Sequence, residues 1–356
     1  MTAEPLPLYY LGDSHIRYLK KAAKIGILAP HEVSGVEVGG ATAVGMRNPN
    51  AKTNALGRYR EWIRDKPREA IVVFHLGEVD CGYVIWYRAE KYDEPVEVQM
   101  MHSVEAYFEF IDELRDMGFH RIIISGATLP TITDDDQIGE VVIKRSAITA
   151  TQKQRTELTL RYNEELCTRA EQRGLPYIDI AADVLDPQTG VVDVRLRHPN
   201  PENHHMNGNL AAPFWARRLH TAIARYQAPV QNPREWTCTR ATFLKAYPGH
   251  SKNMPGDMRQ PVAPGDVVSG DDIQRAGQHT VLRNARINGE SFPLLTLLHT
   301  QHFSSATPIT NTNTNTNTNT NTNTNTNTNT NTNTVEHRSR LLRSLQGILH
   351  RDRRDR

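Results

Sequence analysis

Apolar positions in the first 227 residues alternate between two periods. Residues 6–11 (LPLYYL), 33–38 (VSGVEV), 121–125 (RIIIS) and 177–180 (YIDI) are short apolar runs of strand length. Residues 70–76 (AIVVFHL) are nearly all apolar and β-branched, as expected of a strand buried on both faces. Between these runs the spacing changes to three and four. Ile16, Leu19 and Ala23 predict a helix over 14–25, and Leu56, Tyr59 and Ile63 one over 54–65. Tyr107, Phe108, Ile111 and Leu114 predict one over 104–117. Residues 151–173 read as a long polar helix stopped by Gly174, and Leu210, Phe214, Leu219 and Ile223 mark a closing helix over 207–226. Five strands separated by helices predict a mostly parallel sheet with helices on both faces. In such sheets ligands bind outside the C-terminal strand ends. The segments after Leu11, Val38, Leu76 and Ser125 are therefore the places to look for chemistry.

Beyond residue 227 the pattern weakens. Residues 228–310 are rich in Pro, Gly and Asn, with faint strands at 266–268 and 280–283 and one apolar run at 292–298. They are expected to form an irregular extension, packed on the sheet or disordered. Residues 311–334 are 24 residues of uninterrupted Asn-Thr alternation with no apolar side chain to bury. An expanded repeat without a selected role is favoured over a spacer. Residues 335–356 hold seven Arg against three acids, net +4, with Leu341, Leu342, Leu345, Ile348 and Leu349 on one helical face. Such a basic amphipathic tail suits an anionic lipid surface or a partner, while a solvated, partly helical tail is the favoured reading.

Composition follows from this organisation. Hydrophobic residues make up 38% of the 356, because the polar repeat dilutes an ordinary core. Lys plus Arg is 42 and Asp plus Glu is 40, a near balance that argues against a dedicated nucleic-acid binder. Cys81, Cys167 and Cys238 form neither a disulfide framework nor a zinc-like spacing, which points to a reducing, cytoplasmic setting. No run of 18 apolar residues predicts a membrane span, and Asp13, Lys20, Lys21 and Lys24 make the first 30 residues unlike a signal peptide.

The first strand runs into Gly12-Asp13-Ser14-His15. A serine at a strand-to-helix turn presents its hydroxyl at the sheet edge, beside unpaired N–H groups of the following helix. The same residues also make an ordinary N-cap. The second strand ends in Gly39-Gly40-Ala41-Thr42, where glycine lets a backbone N–H face a ligand, or simply turns the chain. The third ends in Gly77-Glu78-Val79-Asp80-Cys81. Ahead of the closing helix stands Glu202-Asn203-His204-His205, whose spacing lets Glu202 reach the His205 Nδ1 and leave Nε2 free as a base. His15 and His75 near strand ends read equally well as satisfied core histidines. Asp134–Asp136 reads as a solvated loop before a metal site, and Cys81 as an inert buried thiol. Tyr83, Trp86 and Tyr87 suit sugar stacking or a half-buried loop.

The ordered set Gly-Asp-Ser, Gly-Gly-Ala-Thr, Gly-x-x-Asp and acid-x-x-His resembles the SGNH (GDSL-like) hydrolases over about residues 6–227. That family is a three-layer α/β/α sandwich of flavodoxin-like type, comprising esterases, lipases, thioesterases and carbohydrate O-acetylesterases. The block at 76–81 resembles a bacterial subgroup with Gly-Glu-Ile/Val-Asp-Cys at that place. The resemblance implies Ser14 as nucleophile, His205 as base and Glu202 in the place of the family's Asp. It implies the Ser14 and Gly40 N–H groups as oxyanion donors, with Asp13, Gly77 and Asp80 at the same edge. Val79 stands where the family has a donating Asn, and losing one such donor typically lowers turnover about 10²–10³-fold. The implied reaction is ester hydrolysis through an acyl-serine, with small acyl esters of a carbohydrate preferred as substrate and no metal or organic cofactor. Glycan acyl transfer, a non-catalytic scaffold, and a metal site on Asp13, Asp80 and His205 are the alternatives.

Overall fold

The structure, a computed structural model, describes residues 6–24, 26, 28, 31–136, 139, 141, 143, 147–226, 233–245, 259–276, 279–291, 295–304 and 307–308. The Asn-Thr repeat and the basic tail expected at 335–356 lie outside them. The chain divides into two units, Met1–Ile309 and Thr310–Arg356, and only the first contains described residues.

The N-terminal part is an α/β/α sandwich on five parallel strands: β1 (Leu8–Gly12), β2 (Val33–Glu37), β3 (Ile71–His75), β4 (Arg121–Ser125) and β5 (Tyr177–Ile178). Their order is β2-β1-β3-β4-β5, and β1, β3 and β4 are in register, with Leu8 beside Ile71 and Ile71 beside Arg121. Alternation along the strands sorts the core into two layers. Leu8, Tyr10, Ile71, Val73 and Ile123 face one side, with α1 (Arg17–Lys24) and the closing helix. Tyr9, Leu11, Val72, Phe74, Ile122 and Ile124 face the other, with α2 (Ala55–Ile63), α3 (Ile85–Tyr92), α4 (Val96–Asp116) and α5 (Gln152–Gln172). All five residues of β3 are buried, as the unbroken apolar run predicts for a central strand. Each fully buried Val, Ile or Phe of this kind contributes roughly 1.5–3 kcal/mol over an exposed one.

Local signals set the helix ends. Thr151 and Gln154 form a reciprocal capping box at the start of α5. At its other end Gly174 takes φ +68, with Gly174 N–H donating to Glu171 O and Leu175 N–H to Ala170 O. That is the paired bonding of a Schellman cap, with Leu175 buried beside it. The closing helix, α6 (Gly208–Ile223), is capped by the Asn207 side chain, which accepts from Asn209 N–H. One stretch departs from expectation. Residues 80–84 wind as a π turn into α3, so Tyr83, Trp86 and Tyr87 stand on a helical segment instead of a loop. The Trp86 indole N–H donates to Cys81 O, and Tyr83 stacks on Tyr87, one turn away.

The segment expected to be irregular is a sheet. Strands β6 (Pro233–Thr237), β7 (Thr242–Lys245), β8 (Arg259–Val262), β9 (Val267–Ala276), β10 (His279–Ile287), β12 (Leu295–His299) and β13 (Thr307–Pro308) run in the order β13-β6-β9-β10-β12-β7-β8. The short β11 (Glu290–Ser291) turns back on β10. All these pairings are antiparallel. Trp236, Leu244, Val262, Val268, Leu282 and Leu298 form its core. The faint runs at 266–268 and 280–283 thus mark the two longest strands.

Candidate active site

At the C-terminal end of β1 the chain must turn sharply under crowded conditions. A Cβ on Gly12 would lie 2.5 Å from His75 O, so the residue there is one without a side chain. Asp13 N–H donates to that same carbonyl (3.2 Å), and the Asp13 carboxylate accepts from His15 N–H (2.8 Å), capping a 3-10 turn over Ser14–Ile16. Ser14 is thereby held almost buried at the strand-to-helix turn, with its hydroxyl toward the loop before α6. Ser14 Oγ lies 2.9 Å from His205 Nε2.

His205 is set by its own loop. Asn200 to Asn203 form a turn, closed by Asn203 N–H donating to Asn200 O, with Pro201 at the position where its fixed φ fits. The Asn203 side-chain oxygen then accepts from His205 backbone N–H (3.0 Å) and lies 2.8 Å from His205 Nδ1. A backbone N–H can only donate, so the Asn203 atom facing it is the oxygen. His205 Nδ1 therefore carries the proton, and Nε2 is left as acceptor for the Ser14 hydroxyl. Across the cleft the Thr131 hydroxyl donates to His204 O and ties this loop to the one following β4.

The residue expected to orient His205 does not do so. Glu202 occupies the corner of the turn with its side chain exposed, and no ion pair joins it to His205 among the described residues. The three-residue spacing was expected to bring Glu202 to the ring, but in this turn Glu202 sits at the exposed corner. Corner side chains of a turn project outward, and the short Asn203 side chain reaches the backbone two residues on.

The other candidates fall into distinct places. Gly40 takes φ +71 at the third position of a turn closed by Ala41 N–H donating to Val38 O. It is exposed, with open space where a Cβ would go. Val38 N–H donates to Gly12 O, which pins this turn against the end of β1 beside Ser14. Asp80 is buried and braces the same loop. Its two oxygens accept from Ala43 N–H (2.9 Å), Val44 N–H (3.2 Å) and the Ser103 hydroxyl (2.8 Å). Burial pushes its carboxyl up to about 6 despite those three donors. Asp80 is thus a loop anchor under the site, and Asp13 likewise is wholly buried as a cap. Gly77, expected to face substrate, is buried with φ +126, and a Cβ there would meet Tyr162 at 2.6 Å and Ala127 at 2.9 Å. Its role is close packing at the β3 exit.

Histidines crowd the site. His15 lies with Nδ1 3.4 Å from Asp13 and Nε2 3.7 Å from Glu78, and its ring centroid is 4.6 Å from that of His205. His15, His204 and His205 each offer a ring nitrogen, all within 4.8 Å of one another, so these three could hold a cation. Burial, followed by the neighbouring His15, His204 and Arg17, holds His205 far below the ordinary imidazole range. His75 lies in the core beneath. Its Nδ1 is 2.9 Å from Ser125 Oγ, which also bonds Tyr18 OH, and burial drives it down to about 4. The acidic loop is structural: Asp134 accepts from Gln152 N–H at the start of α5, and Asp136 pairs with Arg197 at 2.6 Å.

A cavity of about 340 Å³ opens against His15 and His205, lined also by Thr128, Arg17, Lys21, Asn203, Trp215 and the first residues of α6. Sequence reading named His15 and His205 but missed Asn203 and the α1 and α6 residues of this lining. The one signal for Asn203 is the Asn-x-His spacing, which suits an Asx turn.

No family model matches the chain, and no curated protein matches it. Among solved structures it is similar to the acetyl xylan esterase AlAXEase at 14% identity, with 61% of this chain and 100% of that one covered and a TM-score of 0.39. It is also similar to a catalytic mutant of an acetylxylan esterase from Geobacillus stearothermophilus (12% identity, 62% and 93% covered, TM-score 0.38). An extracellular lipase from Streptomyces rimosus matches at 12% identity (61% and 100% covered, TM-score 0.36). Likenesses this distant carry no transfer of residue roles.

Proposed function

We propose that the protein is a serine ester hydrolase of SGNH type, working through Ser14, His205 and Asn203. The observation that carries this reading is the 2.9 Å contact between Ser14 Oγ and a His205 Nε2 that the Asn203 oxygen leaves unprotonated. His205 takes the Ser14 proton as Oγ attacks the ester carbonyl. The resulting oxyanion is met by backbone N–H groups at Ser14 and at Gly40. Collapse expels the alcohol, which takes its proton from His205, and leaves an acyl-serine. Water, deprotonated by His205, then releases the acid. A neutral amide in the third place has precedent in Cys-His-Asn sites, where it orients the imidazole without adding charge. Small acyl esters of a carbohydrate are the preferred substrate class. Val79 supplies no side-chain donor, so the oxyanion rests on backbone groups.

The test is hydrolysis of p-nitrophenyl acetate by the full chain and by Ser14→Ala, together with labelling by a fluorophosphonate probe. The expected result is labelling of Ser14 and hydrolysis lost in the variant. Undiminished hydrolysis by Ser14→Ala would overturn the assignment, and an unlabelled, inactive wild type would favour a scaffold that keeps the fold.

A further inference from the structure

The cavity beside His205 has an unusual charge balance. Arg17, Lys21 and His198 line it, and no Asp or Glu does. Arg17 shares Glu37 with Lys20, at 2.6 and 2.8 Å, so two positive charges face one carboxylate and one is left over. Lys21 is paired with no carboxylate among the described residues. It is half-buried, with its stem running past Gly208 at the start of α6. Trp215 also lines it, stacked on Tyr18 at 4.1 Å with nearly parallel rings. Lys21 thus brings a positive charge to a cavity that no Asp or Glu lines, and an anion entering it meets that charge without a competing carboxylate.

We infer that the substrate of the proposed esterase carries an anionic group, a carboxylate or a phosphate, seated in this cavity against Lys21 while the ester lies at Ser14. The inference rests on the ester-hydrolase reading and narrows its substrate class. Lys21, Asn203 and His205 line the same cavity, and His205 Nε2 lies 2.9 Å from Ser14 Oγ. Lys21 binds and positions and takes no part in bond making. Its ammonium acts as a point charge, and the surrounding Asn207 and Asn209 supply polar wall.

The full chain is assayed by acetate release from three acetylated sugars of equal size: one uncharged, one a uronic acid, one a sugar phosphate. The expected result is a kcat/KM for at least one anionic ester about tenfold or more above the uncharged one, the scale of a charge-assisted contact. The two anionic arms decide between carboxylate and phosphate. Lys21→Ala removes about tenfold of that preference, chiefly through KM, and Lys21→Arg keeps most of it. Lys24→Ala, at the exposed end of α1, leaves the preference in place. The preference shrinks as salt rises. Should Lys21→Ala fail to fold, inorganic phosphate inhibiting the wild type competitively against the uncharged ester gives the same reading. Ser14-dependent hydrolysis with no anionic preference and no inhibition by phosphate overturns this inference alone. No Ser14-dependent hydrolysis of any ester overturns the underlying reading with it.

Discussion

Asn203 offers the sharpest separation of orientation from charge at this site. Its side-chain oxygen accepts both from the His205 backbone N–H at 3.0 Å and from Nδ1 at 2.8 Å. Asn203→Ala removes both bonds at once. Losing the partner of one partly buried donor costs about 1–3 kcal/mol. Each 1.4 kcal/mol is a factor of ten, so kcat/KM should fall about 10–100-fold even if only the Nδ1 bond matters. Asn203→Asp keeps an acceptor for both bonds and adds a negative charge next to the ring. An opposite charge at that range raises an imidazole by about one to three pKa units. The sign is fixed by the role of His205 as a base. In the wild type burial and the cationic neighbours depress its pKa, so the neutral, active form persists well below pH 6.5 and the acid limb of kcat/KM lies low. In Asn203→Asp the limb moves up by the same one to three units. Activity is lost in the acid range, and a stronger base acts above it. The assay is p-nitrophenyl acetate hydrolysis from pH 2.5 to 9, low enough to reach the acid limb of a strongly depressed His205, read at the isosbestic wavelength of nitrophenol, with Glu202→Ala in parallel and expected within about twofold of wild type. An Asn203→Ala variant with unchanged kcat/KM, or an Asn203→Asp variant whose acid limb does not move, would refute the proposed orientation of His205.

Two further outcomes follow from the packing and the histidines. Gly77→Ala should destabilise the N-terminal domain by about 2–4 kcal/mol, since it adds a Cβ 2.6 Å from Tyr162 to a backbone at φ +126; an unchanged melting temperature would contradict that packing. Added Zn²⁺ should inhibit ester hydrolysis by occupying His15, His204 and His205, with EDTA restoring it, whereas EDTA alone leaves hydrolysis within about twofold. Activity abolished by EDTA and regained with metal would instead favour a metal-dependent reaction.

The sequence by itself determined the sandwich and its working edge. Strands such as IVVFH and RIIIS are apolar on both faces, and only a central parallel position buries both. Placing Ser14 and His205 at one edge also followed, because parallel strands joined by helices all end on the same side. Three things were decided only in three dimensions. The partner of His205 depends on which side chain of the turn at residues 200–203 points at the ring. The loop is held by the Asn200–Asn203 turn and by Thr131, which comes from a segment some 70 residues earlier. The antiparallel sheet of residues 233–308 is built by strand register and long-range pairing, as when β12 joins β7. Local periodicity carries little trace of either. Lys21 and the start of α6 line one cavity because α1 and α6 pack on the same face of the sheet, nearly 190 residues apart in sequence. Local patterns specify which face a residue turns to the core. What it meets there is set by the long-range packing that closes the chain.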